Sequence, residues 1–282
     1  MSVTKLLSRI VQPKEVMKES DDLHSKLHGY TFGITSDPLT QLGVVLSALI
    51  HDLDHPGIPN AILVKETDPL AIKYKNKSIA EQNSVELAWA ILLDEKFKDL
   101  RQSLYSTQDE FDRFRSIIVN AVMATDIADK NLGAARKERW NKAFKLGEAA
   151  NHIDENPRDE VNRKATIVIE HLIQASDVAH TMQHWHVYIK WNELLFLEMY
   201  QTFSQGRSDS DPSDAWYEGE LGFFYFYIIP LARKLKDCGV FGVSSDEYLN
   251  YAEANRMEWA QKGQQIVAGY ISRHVLSDEV SV

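Results

Sequence analysis

Two histidines and two aspartates stand together where an apolar stretch runs out, in ALIHDLDHPG from Ala48 to Gly57. Imidazole with carboxylate is a donor set for zinc and similar divalent cations, and a helix C-terminus adds partial negative charge of the sign a cation needs. Pro56 stops a helix and restricts the residue before it, so the pattern predicts His51, Asp52 and His55 in the last helical turn. On a helix His51 and His55, four apart, and Asp52 and His55, three apart, share a face and converge. Asp54 projects away from Asp52 and reads as a solvated or supporting carboxylate. The alternative for the whole stretch is a set of capping and surface polar groups.

A second carboxylate, Asp177 in EHLIQASDVAH, continues the apolar row of Ile169 and Ile173. A buried, unpaired carboxylate is too costly to stand alone, so Asp177 is expected to meet a metal, a cation or a hydrogen-bond network. The other reading is a buried cap for the turn near His180. The aromatic run from Phe223 to Tyr227 reads mostly as core, with one ring to spare.

The elements that position these residues are helices. Leu39, Leu42, Leu46, Leu49, Ile50 and Leu53 recur at helical spacing, strand-like alternation is scarce, and an all-α fold follows. Further helices are predicted over roughly 78–93, 107–126, 131–148, 158–180, 181–205, 215–237 and 245–270, with short polar loops between them. Ser78 with Glu81, and Thr107 with Glu110, have the spacing of capping boxes. Residues 21–38 and 205–213 read as loops, and residues 1–282 as one domain without repeats.

Composition removes several classes. A net charge of −10 gives a field that repels nucleic acid, so a phosphate-bearing ligand would need a local cation. No apolar run is long enough to span a bilayer, and the first residues lack a signal peptide's apolar core. The single Cys238 has no partner for a disulfide, which fits a cytoplasmic setting.

Taken in order, HDLDHPG with Asn60, SIAEQN from Ser78, ATD ending at Asp126, ASD ending at Asp177 and GELGFFYFYIIPL from Gly219 resemble the class I 3′,5′-cyclic-nucleotide phosphodiesterases. The resemblance runs along nearly the whole chain, and HDxDHPG is its most specific part. It implies a compact, multi-helix catalytic domain of HD type that hydrolyses cAMP, cGMP or both to 5′-monophosphates. It implies two divalent cations, zinc at the tighter site and magnesium or manganese at the looser one. His51, Asp52 and Asp177 would be ligands, with Asp52 bridging, and His55, Glu81 and Thr125 would support the attacking water. Phe223 would clamp the base.

The chain also departs from the family pattern. Glu220 stands where a base-reading glutamine is common, His180 where an asparagine is, and Asn83 and Ser84 where histidines follow the glutamate. An ionised glutamate only accepts hydrogen bonds, which tilts the expectation toward guanine. The HNxxHA-type segment that supplies a metal-binding histidine and the acid for the leaving 3′-oxygen is not found ahead of Ser2 to Val11. The expectation is therefore a domain incomplete at its N-terminus and poor in turnover alone, with His24 and His28 the only obvious substitutes. Two rival functions remain at this point: a general HD-type phosphohydrolase, and a catalytically impaired nucleotide-binding or regulatory domain.

Overall fold

The computed structural model of the chain describes residues 6–8, 28–144, 157–242 and 245–275. Among the described residues, helices α1 (Pro38–Ile50), α2 (Asn60–Lys65), α3 (Pro69–Lys73), α4 (Ile79–Leu93), α5 (Lys98–Leu104) and α6 (Gln108–Met123) form the first half. The second half is α7 (Lys130–Phe144), α8 (Pro157–Asp177), α9 (Trp185–Ser204), α10 (Trp216–Phe223), α11 (Ile229–Asp237) and α12 (Glu247–Tyr270). No strand occurs among the described residues, in keeping with the all-α expectation.

Several boundaries differ from the periodicity reading for local reasons. The helix expected over 215–237 is interrupted by a π-turn at Phe224–Ile228, and the one expected from 181 begins at Trp185 after a 3-10 turn at Ala179–Met182. The short helices α2, α3 and α5 stand where loops were expected; Pro69 at the first position of α3, with the Asp68 side chain accepting from the Leu70 N–H, nucleates so short an element. Of the loop expected over 21–38, residues 28–30 are helical and Ile34–Ser36 form a 3-10 turn, while 21–27 lie outside the described residues. Likewise 145–148 of the third predicted helix lie outside them.

Only one of the two expected capping boxes forms. Thr107 and Glu110 satisfy each other's backbone N–H groups at the start of α6. Ser78 precedes α4 in a left-handed conformation (φ 37°), makes no cap bond, and donates its hydroxyl to Asp126 Oδ2 at 2.6 Å. In that conformation the hydroxyl is aimed away from the α4 amides, so the sequence spacing of a box is present without its geometry.

Three apolar clusters hold the bundle together. The main one lies where α8, α11 and α12 meet the π-turn, around Ile173, Phe224, Leu235 and Trp259. A second joins Ile50 of α1 to Trp89 of α4 and Phe114 and Ile118 of α6, and a third gathers Ile58, Leu63, Ala71 and Ile79. Gly43 allows the close approach of α1 to α6, since a Cβ there would come within 2.9 Å of Ile117 Cγ2. Ile50 and Ile79 anchor α1 and α4 immediately beside the chemistry-bearing residues His51 and Glu81, so the cores fix both ends of the candidate site.

Candidate functional site

Helix α1 delivers His51 as its C-cap residue, and the chain then leaves helical geometry sooner than expected. Leu53 N–H donates to the Ile50 carbonyl at 2.9 Å and His55 N–H to that of Asp52 at 3.0 Å, while Asp54 takes φ 60°. The restriction that Pro56 places on His55 thus reaches back through Asp54, and the expected last helical turn becomes a pair of tight turns. Asp54 is exposed, as expected. His55 is exposed as well and does not share a helical face with His51; its Nδ1 accepts from the Gly57 N–H at 3.1 Å. Gly57, at φ 71°, supplies the backbone conformation that this turn requires.

Asp177, the last residue of α8, meets His51 and Asp52 across 125 and more positions of sequence. His51 Nε2 lies 3.2 Å from Asp52 Oδ2 and 3.4 Å from Asp177 Oδ1, and the three donor atoms all lie within 4.8 Å of one another. The expectation that Asp177 is buried fails: 36% of its side chain is accessible, at the position where α8 ends. His51 Nδ1 donates to the Ala48 carbonyl at 3.0 Å, the tautomer that leaves Nε2 free to ligate a metal. Nε2 is buried and, although its distances are those of an ion pair, finds no well-aligned hydrogen bond. Burial disfavours charge on His51, but Asp177 and Asp52 outweigh it and raise the pKa from 6.5 to about 10. A cation is therefore what these atoms lack, and a proton fills that role in the metal-free chain. Three protein donors with an open side fit a divalent metal.

Around this cluster α4 brings Glu81. Ser84, one turn further on, donates its hydroxyl to the Leu53 carbonyl at 2.9 Å and so pins α4 to the turn after His51. Burial raises the Glu81 pKa, opposed by a hydrogen bond from Asn60; the charge of Asp126 raises it and that of His55 lowers it. His55 also lowers the pKa of Asp52, behind the larger hydrogen-bond effect of His51 and against burial, so its ring sits in the field of both carboxylates. Thr125 follows α6 and donates its hydroxyl to the Val122 carbonyl at 2.7 Å, leaving its oxygen lone pairs free. His28 is elsewhere, bonded to Ser36 Oγ at 2.5 Å, and His24 lies outside the described residues.

On the other side of Asp177 lie the expected ligand-facing groups. His180 sits in the 3-10 turn, its ring parallel to Tyr188 at 6.5 Å between centroids. Burial lowers its pKa to about 4 against the pull of Asp177, so it is a neutral imidazole. Tyr188 donates its hydroxyl to Glu220 Oε2 at 2.7 Å, and Trp216 Nε1 donates to Asn192 Oδ1 at 3.2 Å, turning the Asn192 amide nitrogen toward Tyr188 and Glu220. Burial raises the Glu220 pKa, and the bonds from Tyr188 and Asn192 lower it. Phe223 stacks on Tyr227 at 5.4 Å and 17°. The aromatic run is less of a core than its composition implied: Phe224 is fully buried, but Tyr225 is 66% and Phe226 78% exposed, because the π-turn rotates them outward. Tyr188, Asn192 and Trp216 were not singled out by sequence. Their spacing along α9 and α10 is ordinary, and only packing makes them partners of Glu220. A cavity of about 1120 Å³ between α1, α6 and α8, with Arg113, Asn120 and Thr166 in its walls, is lined by His28 but by none of the residues expected at the metal or the base.

Residues 21–239 match the family model of the 3'5'-cyclic nucleotide phosphodiesterases. The chain belongs to this family. A relative described as the probable 3',5'-cyclic-AMP phosphodiesterase pde-4 of Caenorhabditis elegans is 26% identical over 242 residues, which is 79% of this chain and 33% of that protein. The dual specificity calcium/calmodulin-dependent 3',5'-cyclic nucleotide phosphodiesterase 1B of Bos taurus is 20% identical over 84% of this chain and 42% of its own. This chain spans between a fifth and about two fifths of the length of such relatives. Among solved structures, the phosphodiesterase domain of the RhoPDE fusion protein from the choanoflagellate Salpingoeca rosetta superposes with a TM-score of 0.66 at 21% identity, covering 96% of this chain and 90% of that one. At that identity the likeness is one of fold. No helix among the described residues is long and apolar enough to cross a membrane.

Proposed function

We propose that this chain hydrolyses 3′,5′-cyclic nucleotides to 5′-monophosphates at the site built on His51, Asp52 and Asp177. The observation that carries the reading is the convergence of those three donors, from the ends of α1 and α8, around a buried Nε2 that has no well-aligned hydrogen-bond partner. Bound divalent cations would supply Lewis acidity to the phosphate and a water nucleophile at neutral pH. His51, Asp52 and Asp177 would hold the cations, the imidazole suiting zinc and the carboxylates suiting magnesium or manganese as well. On this proposal Glu81 and His55 would orient the attacking water and take its proton, and Thr125 would add an acceptor, supported by the charge interaction between Glu81 and His55 and by the Thr125 hydroxyl donating to Val122. Such cations would meet the phosphate's negative charge locally, which would reconcile the substrate with a chain of net charge −10.

The base is assigned to the side of the site that carries Phe223, His180 and Glu220. Burial raises the Glu220 pKa and the bonds from Tyr188 and Asn192 oppose that rise; in its ionised form the carboxylate would accept from guanine N1–H and N2–H₂ and repel adenine N1. The proposed preference of this ionised form is cyclic GMP, with the carboxylate meeting guanine at N1–H and N2–H₂ and not at O6. The test measures binding and turnover of cAMP, cGMP and a simple phosphomonoester by the purified chain with zinc and magnesium, before and after EDTA. Slow, metal-dependent turnover of a cyclic nucleotide is expected, in keeping with a chain in which no HNxxHA-type segment is found, with a cGMP-to-cAMP ratio that falls at least several-fold in Glu220→Gln. Binding without turnover under every metal condition would instead make this an impaired nucleotide-binding domain, and turnover of the monoester alone a general phosphohydrolase.

A further inference from the structure

Asn60 opens α2, yet it serves the start of α4, twenty positions further along the chain. Its Oδ1 accepts from the Ala80 backbone N–H at 3.0 Å, and its Nδ2 donates to Glu81 Oε2 at 3.0 Å. The first bond decides the orientation of the amide, since only the oxygen can receive an N–H; the nitrogen must then face Glu81. Asn60 thereby does both jobs that the sequence assigned to Ser78 and Glu81 as a box: it satisfies an orphan N–H at the head of α4 and it holds the carboxylate. Ser78 is released to bond Asp126, whose Oδ1 also accepts from the Ala128 and Asp129 N–H groups, both at 3.1 Å. That second link fastens the loop carrying Thr125 to the same helix start. Asn60 itself follows directly on the His51–Gly57 turn, so one side chain couples the metal-ligand turn to Glu81.

We propose that Asn60 is the positioning residue of Glu81: by occupying Oε2 it fixes the rotation of the carboxylate and keeps it an acceptor for the water side of the site. The inference rests on the reading of Glu81 as a participant in cyclic-nucleotide hydrolysis. The groups whose charge reaches Glu81 are Asp126 and His55, and neither contacts it through Oε2 in place of Asn60. An outer group of this kind typically matters by 10–100-fold in activity.

Asn60→Asp is the discriminating variant. It keeps an oxygen for the Ala80 N–H, so the helix start is preserved, but sets a second carboxylate against Glu81 Oε2. In the EDTA-treated full chain, the side-chain carboxyl carbon of Glu81, followed by NMR, should titrate about one pH unit or more above its wild-type midpoint, with the unfolding midpoint little changed. With zinc and magnesium restored, kcat should fall about 10–100-fold and KM by less than threefold, and the same change made on a Glu81→Gln background should cost nothing further. An unmoved Glu81 titration overturns the proposal whatever the activity. A moved titration with unchanged kcat in an active enzyme overturns it too. A moved titration in a chain that is inactive even as wild type upholds the Asn60–Glu81 positioning and removes the phosphodiesterase reading instead.

Discussion

Replacing Asp177 by Asn leaves the shape of the cluster and removes one of its two charges, and the structure gives the consequence a sign and a size. His51 Nε2 is 3.4 Å from Asp177 Oδ1, a pair worth roughly 1 kcal/mol at the dielectric of water and about 5 kcal/mol at an effective value of 20. With 36% of the Asp177 side chain and 64% of that of Asp52 accessible, solvent screening places the figure near the lower end, about 1–2 kcal/mol. That is about one pH unit of the rise that takes His51 to about 10. Because the folded pKa lies above the unfolded value near 6.5, the stabilisation is fully present below pH 6.5 and fades as pH rises through about 10. In the EDTA-treated chain, urea unfolding should therefore show Asp177→Asn less stable by about 1–2 kcal/mol at pH 6 and by progressively less toward pH 10. Zinc must displace the His51 proton, so calorimetry in buffers of different ionisation enthalpy at pH 7 should find about one proton released from this residue on binding. The same variant should bind zinc at least tenfold more weakly, since a direct donor matters no less than an outer one. Equal zinc affinity and an unaltered pH dependence of stability in Asp177→Asn would refute the shared site.

Two further substitutions probe how the frame holds that site. Thr107→Ala, which breaks the one capping box that forms, should cost about 1 kcal/mol in chemical denaturation, whereas Ser78→Ala should cost about 1–3 kcal/mol, because it leaves buried Asp126 Oδ2 without its donor; a smaller loss at Ser78 than at Thr107 would contradict the bond described. Gly263→Ala would place a Cβ 2.8 Å from both Trp259 Cε2 and Tyr217 Cδ2, and should destabilise by about 1–3 kcal/mol by overpacking the contact of α10 with α12; an unchanged melting temperature would show that those rings yield freely.

Much of this protein is fixed by local pattern. Periodic apolar residues define the long helices, and HDLDHPG marks the candidate metal-ligand turn because ligand types, a helix end and a proline lie within a few adjacent positions. Asp177 is legible from sequence as an unusual carboxylate, although for a reason the fold corrects: it is conspicuous on an apolar row, yet it stands at a helix end open to solvent. What sequence leaves open is decided by dihedral angles and by contacts across long separations. Ser78 and Glu81 have the spacing of a capping box, but a left-handed φ at Ser78 turns its hydroxyl to Asp126 and hands the cap to Asn60. The aromatic run has the composition of a core, but a π-turn directs Tyr225 and Phe226 into solvent. Glu220 gains its partners Tyr188 and Asn192 only when α9 packs beside α10. Residue type and spacing thus determine which helices form and which groups can ligate, because those depend on near neighbours. Which oxygen faces which donor depends on the packing of helices far apart in the chain, and only the tertiary structure determines it.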